Sequence, residues 1–156
     1  GFDFGNSPFH YKKNLVKDQT IILTTTNGTK CIEMSSNASD VVIGSFFNLS
    51  AVANYLKNKD KDVVLFCAGW KDKVNLEDSL FAGALAQKLT NAELDDSTLL
   101  CMKAYENRKE DLFETLKKSN HFNRLKNKGV VNDIKYCCNM DITDVVPKLN
   151  KGLIVK

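Results

Sequence analysis

Three short runs in the first half of the chain are apolar throughout and rich in β-branched residues: 20–25 (TIILTT), 40–44 (DVVIG) and 62–67 (DVVLFC). Runs of this length and make-up predict buried strands. A stretch with apolar residues three and four apart follows each run, at about 29–37, 49–57 and 76–89, and predicts a helix. In the second of these, Leu49, Val52, Ala53 and Leu56 share one face. In the third, Leu80 and Ala84 mark the buried side, and Gln87 and Lys88 the exposed one. Strand and helix alternating over short connections predict a three-layer α/β/α fold with a largely parallel sheet. The absence of polar alternation in the runs fits strands covered on both faces.

The second half reads as helix-rich. Helices are predicted over 95–105 and 109–117, from a cap at Ser119 or Asn120 to Lys128 with Gly129 ending it, and over 130–138. Residues 145–155, with Pro147 and Gly152, suit one or two short edge strands. No repeat, low-complexity tract or boundary divides the chain, so residues 1–156 read as one domain or as part of a larger one.

Composition narrows the class. A hydrophobic fraction of 43% and a charged fraction of 26% are ordinary for a soluble globular domain. The net charge of +3 is small, and lysines are interspersed with acids, which argues against nucleic acid. No segment approaches the roughly 18 consecutive apolar residues that cross a bilayer, so no membrane association is expected. Cys31, Cys67, Cys101, Cys137 and Cys138 show no metal or redox spacing and read as buried free thiols of a cytoplasmic protein. The chain opens at Gly1 directly on a compact motif, which reads as a stretch cropped from a longer protein. A homo-oligomer stays open.

In an open parallel sheet, ligands bind beyond the carboxyl ends of the strands. Each predicted strand runs into a loop of glycine, hydroxyl and amide residues. The first holds Thr25, Thr26, Asn27, Gly28 and Thr29, the second Ser45 and Asn48, the third Gly69. Such turns offer free N–H groups and short donors to an anion at a helix N-terminus. Each could also be an ordinary turn or cap. Glu77 and Asp78 open the helix after the third loop. They suit a hard cation such as Mg2+, which takes one or two carboxylates and keeps positions for water and substrate. They could equally complement the helix dipole. Adjacent helical residues point about 100° apart, so one carboxylate should face the cleft and the other orient a loop. The opening GFDFGNSP packs polar residues between aromatics. It predicts a loop with its phenylalanines inward and Asp3, Asn6 and Ser7 shown to a cleft. His10 and His121 form no motif and read as surface or satisfied histidines. Cys67 has no neighbouring base in sequence to activate it as a nucleophile.

Several segments, taken in order, carry a resemblance. They are GFDFGNSP, LTTTNGT, VVIGSFFNLSAVA, VVLFCAGWKDKVNLEDSLFAGAL, the Ser119–His121 stretch with Leu125, and VNDIKYCCNMD with VVP. Together they resemble the 2-phosphosulfolactate phosphatase family across nearly the whole chain. Trp70-Lys71 departs from the small or hydroxyl residues usual there. The resemblance implies that family members extend further at the N-terminus, with an acid- and arginine-bearing strand that joins the same site. It also implies Mg2+-dependent hydrolysis of 2-phospho-3-sulfolactate to 3-sulfolactate and phosphate, on the route to coenzyme M. Asp3, Glu77 and Asp78 are then the candidate catalytic carboxylates, with Glu77 and Asp78 at the metal. Asn6, Ser7, Thr25, Thr26, Asn27, Gly28, Thr29, Ser45, Asn48 and Gly69 would bind a small anionic phosphorylated substrate. The alternatives are a phosphatase of the same fold acting on another phosphorylated hydroxy acid, and a non-catalytic anion-binding module.

Overall fold

The computed structural model describes residues 1–89, 92–108 and 111–156. Among them lie eight α-helices and one β-hairpin. The helices are α1 (Lys13–Val16), α2 (Gly28–Met34), α3 (Leu49–Lys57), α4 (Leu76–Lys88), α5 (Asp96–Glu106), α6 (Leu112–Leu116), α7 (Asn120–Lys126) and α8 (Val131–Cys137). Strands β1 (Lys148–Asn150) and β2 (Leu153–Val155) close the chain. No helix among the described residues is long and apolar enough to cross a membrane.

The core forms where helical spacing stacks apolar residues. Leu49, Val52 and Ala53 of α3 meet Leu80, Ala84 and Leu85 of α4, with Phe46 and with Leu112 and Leu116 of α6. α4 is the central helix, because Ala82, Gly83 and Ala86 are buried as well and leave little of its middle exposed. Small residues there let a neighbour come close. A Cβ built on Gly83 would lie 2.1 Å from the Cys101 carbonyl oxygen, so α5 crosses where only glycine fits. Local caps set the later helices. Asp95 accepts from the Thr98 N–H, Asp111 from Glu114 and Ser119 from Phe122. Gly129, with φ +76°, follows the turn after α7.

The fold class departs from expectation. In place of a three-layer α/β/α arrangement with a largely parallel sheet, the described residues contain a helix-rich body and a single two-stranded antiparallel sheet. The hairpin pairs Lys148 with Val155 and Asn150 with Leu153. Lys151 and Gly152 turn it, both at positive φ, as tight two-residue hairpin turns require. Of the three predicted strands, only 40–44 finds backbone partners, and these are antiparallel. The Ile43 N–H donates to the Pro147 carbonyl and the Leu149 N–H to the Val41 carbonyl, each at 2.9 Å. Runs 20–25 and 62–67 make no backbone–backbone hydrogen bond among the described residues. Most of their side chains face solvent, with Ile22 91% and Val64 87% exposed, while Thr25 and Leu65 are half-buried and Leu65 packs against the core. A β-branched apolar run favours an extended backbone, but a strand exists only with a neighbour roughly 4.8 Å away. The run itself does not specify that neighbour.

The helix expectations fare better. α3, α4, α5, α7 and α8 lie within a few residues of the predicted spans. α2 stops at Met34, short of residue 37. In the 109–117 span the helix covers Leu112–Leu116, and residues 109 and 110 lie outside the described residues.

Candidate functional site

The site is built on the N-terminus of α4. Ahead of it the chain makes a tight reversal, in which the Trp70 N–H donates to Lys73 O and the Lys73 N–H to Trp70 O. Lys71 and Asp72 at its tip both have positive φ. Gly69 enters the reversal with φ +63°, and a Cβ there would stand 2.6 Å from the Lys73 carbonyl oxygen. Any other residue at this position would be strained and would collide with backbone.

Both backbone groups of Gly69 are used. Its N–H donates to Asp78 Oδ2 at 2.7 Å, and its carbonyl accepts from the Asn27 amide at 3.0 Å. Asn27 precedes α2 but makes no side-chain cap there. Its amide instead ties the first loop to the third. Within the first loop, the Thr29 N–H donates to Thr25 Oγ1 and the Thr29 hydroxyl to the Thr25 carbonyl. Those two hydroxyls close on each other around Gly28, and Thr26 is exposed.

Glu77 faces the other way. The Asn75 amide donates to its Oε1 at 3.1 Å, and His121 Nε2 lies 3.2 Å from the same oxygen. Burial raises the Glu77 carboxyl above the usual range. The Asn75 hydrogen bond opposes that shift, Asp78 adds to it, and Arg124 opposes it. Burial also lowers the His121 imidazole, helped by the Arg124 charge and opposed by Asp78. The partners set the tautomer of this neutral ring: Nε2–H donates to Glu77, and Nδ1 faces the Asn75 amide at 3.4 Å and Arg124 Nη2 at 3.2 Å. The Arg124 guanidinium in turn lies 4.6 Å from the centroid of the Trp70 ring. A chain of contacts thus runs from Asn27 through Gly69 to Asp78. A second runs from Asn75 and Glu77 through His121 to Arg124 and Trp70.

Oxygens without a partner remain at the start of α4. Among the described residues no hydrogen bond engages Glu77 Oε2 or Asp78 Oδ1, and Asn75 Oδ1 is buried without a partner. No group of three or more His, Cys, Asp or Glu side chains with metal-holding geometry occurs among the described residues. Two carboxylates with a free oxygen each fit an ion of the magnesium kind, which keeps several waters. They do not fit a closed structural metal.

The remaining predicted site residues make no hydrogen bond to this pair among the described residues. The Ser45 N–H donates to Asn48 Oδ1 at 2.8 Å, and the Asn48 amide donates to the carbonyls of Ile43 and Val145. Asn48 is buried, and no hydrogen bond joins residues 44–48 to residues 24–29 among the described residues. The second loop packs on α4 through Phe46 and Phe81, whose rings meet edge to face at 5.5 Å. In the opening loop Ser7 Oγ accepts from the Phe9 N–H, and the Gly5 N–H donates to His10 Nδ1. Asp3 and Asn6 are exposed and make no hydrogen bond to the α4 carboxylates. Phe4 packs on Tyr11 and Phe9 on Tyr136, but Phe2 is 81% exposed, against the expectation that it turns inward. Against the expectation of buried thiols, Cys67 and Cys137 are exposed and Cys31, Cys101 and Cys138 only half-buried. Desolvation of its sulfur and the Asp78 charge still push the Cys67 thiol up to about 11, which keeps it protonated at neutral pH.

His121 and Arg124 carry more of this geometry than their sequence suggests. Their i, i+3 spacing on α7 puts them on one face, and that spacing is the signal that could have found them.

Comparison with known proteins agrees over the whole chain. A family described as 2-phosphosulpholactate phosphatase matches residues 1–152. A protein of Caldanaerobacter subterraneus subsp. tengcongensis, named a probable 2-phosphosulfolactate phosphatase, is 41% identical over 99% of this chain and 65% of its own length. Proteins of the same name from Thermotoga maritima and Clostridium novyi are 40% and 36% identical, over 99% and 100% of this chain and 67% of each relative. The chain therefore spans about two thirds of the length of these relatives.

Proposed function

Because the chain belongs to the 2-phosphosulfolactate phosphatase family, we propose that it carries the α4 part of a phosphatase site acting on 2-phospho-3-sulfolactate. The observation that carries this reading is the oriented carboxylate pair. Asp78 holds the Gly69 N–H, while Asn75 and His121 hold one oxygen of Glu77, so that both side chains keep an oxygen available.

Mg2+ would be held by Glu77 and Asp78, and when bound it would neutralise phosphoryl charge and polarise a phosphoryl oxygen. Every other contribution is the chain's own. The Asn27–Gly69–Asp78 link fixes the loop beside the pair. The His121 N–H restrains the rotation of the Glu77 carboxylate. The product, 3-sulfolactate, is a precursor on the way to coenzyme M, and the free thiols suit a cytoplasmic setting.

The test is phosphate release by the full-length protein from 2-phospho-3-sulfolactate and from a panel of other phosphorylated hydroxy acids, with and without Mg2+. The expected result is Mg2+-dependent release with preference for the sulfonated substrate. Glu77→Gln should lower turnover about 100-fold or raise the Mg2+ requirement, with a Tm at neutral pH no lower than the parent's. Full activity of Glu77→Gln and Asp78→Asn at normal Mg2+ would reduce both residues to helix-capping roles. Better turnover of another phospho-acid would move the substrate assignment to it.

A further inference from the structure

A partly buried cation that makes no direct ion pair among the described residues stands beside the carboxylate pair, with Glu77 near enough only to feel its charge. No carboxylate comes within ion-pair distance of Arg124 among the described residues. Its Nε is buried and finds no acceptor. Nη2 lies 3.2 Å from His121 Nδ1 and 3.3 Å from Nε2, so the one acceptor it meets among the described residues is a neutral ring nitrogen. The guanidinium stacks on Trp70 at 4.6 Å, and Lys71 Nζ stands 4.8 Å from the centroid of the same ring. Two cations thus share one indole, and no carboxylate pairs with either among the described residues. Removing a guanidinium from water while leaving its donors unmatched is unfavourable, and an anion that accepts from them removes the penalty. Arginine's planar fork suits a tetrahedral or planar oxyanion through paired N–H donors.

We propose that Arg124, held on Trp70 and steered by His121, anchors an oxyanion group of the ligand, with Lys71 adding long-range attraction. The identity of that ligand as a phosphorylated sulfonate rests on the phosphatase reading above. The anchor itself rests on the unmatched guanidinium. The imidazole of His121 spans the distance between Arg124 and Glu77, so the anchored group would lie one side chain from the carboxylates. The anchor is a specificity device: it selects for a second negative group at a set distance from the reacting one.

The test uses the full-length protein with inorganic phosphate and, separately, methanesulfonate as probes in calorimetric titrations. Arg124→Lys keeps the charge and removes the fork. It should weaken binding of at least one probe about tenfold or more, with Tm unchanged. The probe that loses affinity identifies the group the anchor holds. Trp70 is the sole tryptophan of this chain. Its emission, isolated as the difference from a Trp70→Phe variant, should change on adding that probe and should stop responding in Arg124→Lys. If Arg124→Lys and a folded Arg124→Met both bind phosphate and methanesulfonate within twofold of the parent, the proposal is overturned. It is also overturned if hydrolysis proceeds with unchanged KM in Arg124→Lys, and the phosphatase reading then survives alone. Arg124-dependent anion binding in a protein that releases no phosphate from any phospho-acid would uphold the anchor and remove the phosphatase reading.

Discussion

The helical body around α4 and the apolar runs 20–25 and 62–67 are built from the same kinds of residue and end in opposite states. Leu80 and Val52 are each 1% exposed, whereas Ile22 is 91% and Val64 87% exposed. The difference lies in where backbone partners come from. A helix satisfies its interior N–H and C=O groups within its own segment, so side-chain spacing alone decides which face is buried. An extended run depends on another segment for every ladder hydrogen bond, and its apolar side chains are covered only if that segment is present. The candidate site sits on the seam between the two states. Gly69 follows the 62–67 run, exposed except at Leu65, and Asp78 rises from the most buried helix.

Substitutions of decreasing effect probe that contrast. Leu80→Ala should cost about 2–5 kcal/mol, read as a drop in the denaturation midpoint, because it opens a cavity among α3, α4 and α6. A loss below 1 kcal/mol would mean that the body is as loosely held as the runs. Gly69→Ala should cost about 1–3 kcal/mol, since the new methyl meets the Lys73 carbonyl at a strained φ. It should also weaken Mg2+ binding in calorimetry, by moving the Asp78 partner. Normal Mg2+ affinity in this variant would separate the seam from the site.

A smaller effect is expected from pH. The folded state holds His121 below the usual imidazole pKa of about 6.5, so the unfolded chain takes up a proton that the folded one resists. Stability should therefore fall as pH drops through that range, and His121→Gln should flatten the fall. Glu77, held above the usual carboxylate range, acts in the opposite sense. Its contribution is present at low pH and is lost as pH rises through its raised pKa. Thermal melts from pH 4 to pH 8 on the parent and the two single variants would show both slopes. The smallest change is expected in the runs themselves. Ile22→Ser and Val64→Ser should shift stability by no more than about 0.5 kcal/mol and should reduce self-association in light scattering. A large destabilisation by either would mean that the runs are covered in solution.

Much of the helical body was readable from residues 49–57 and 76–89, because i, i+3, i+4 spacing and local caps such as Ser119 and Asp95 act within one segment. Positive-φ positions such as Gly152 and Gly129 announced turns for the same reason. That Glu77 and Asp78 open a helix could be read locally, and so could the expectation that one of two adjacent carboxylates turns toward a loop, as Asp78 does toward Gly69. Long-range partnership was not encoded locally. Nothing in 40–44 says that it will lie antiparallel to the segment around Lys148, about a hundred residues on. Nothing in Asn27 says that its amide will reach Gly69 instead of capping α2. The meeting of His121 and Arg124 with Glu77 and Trp70 follows from how α7 docks beside the start of α4. That docking is a balance of packing across the whole core, which no single stretch of sequence expresses.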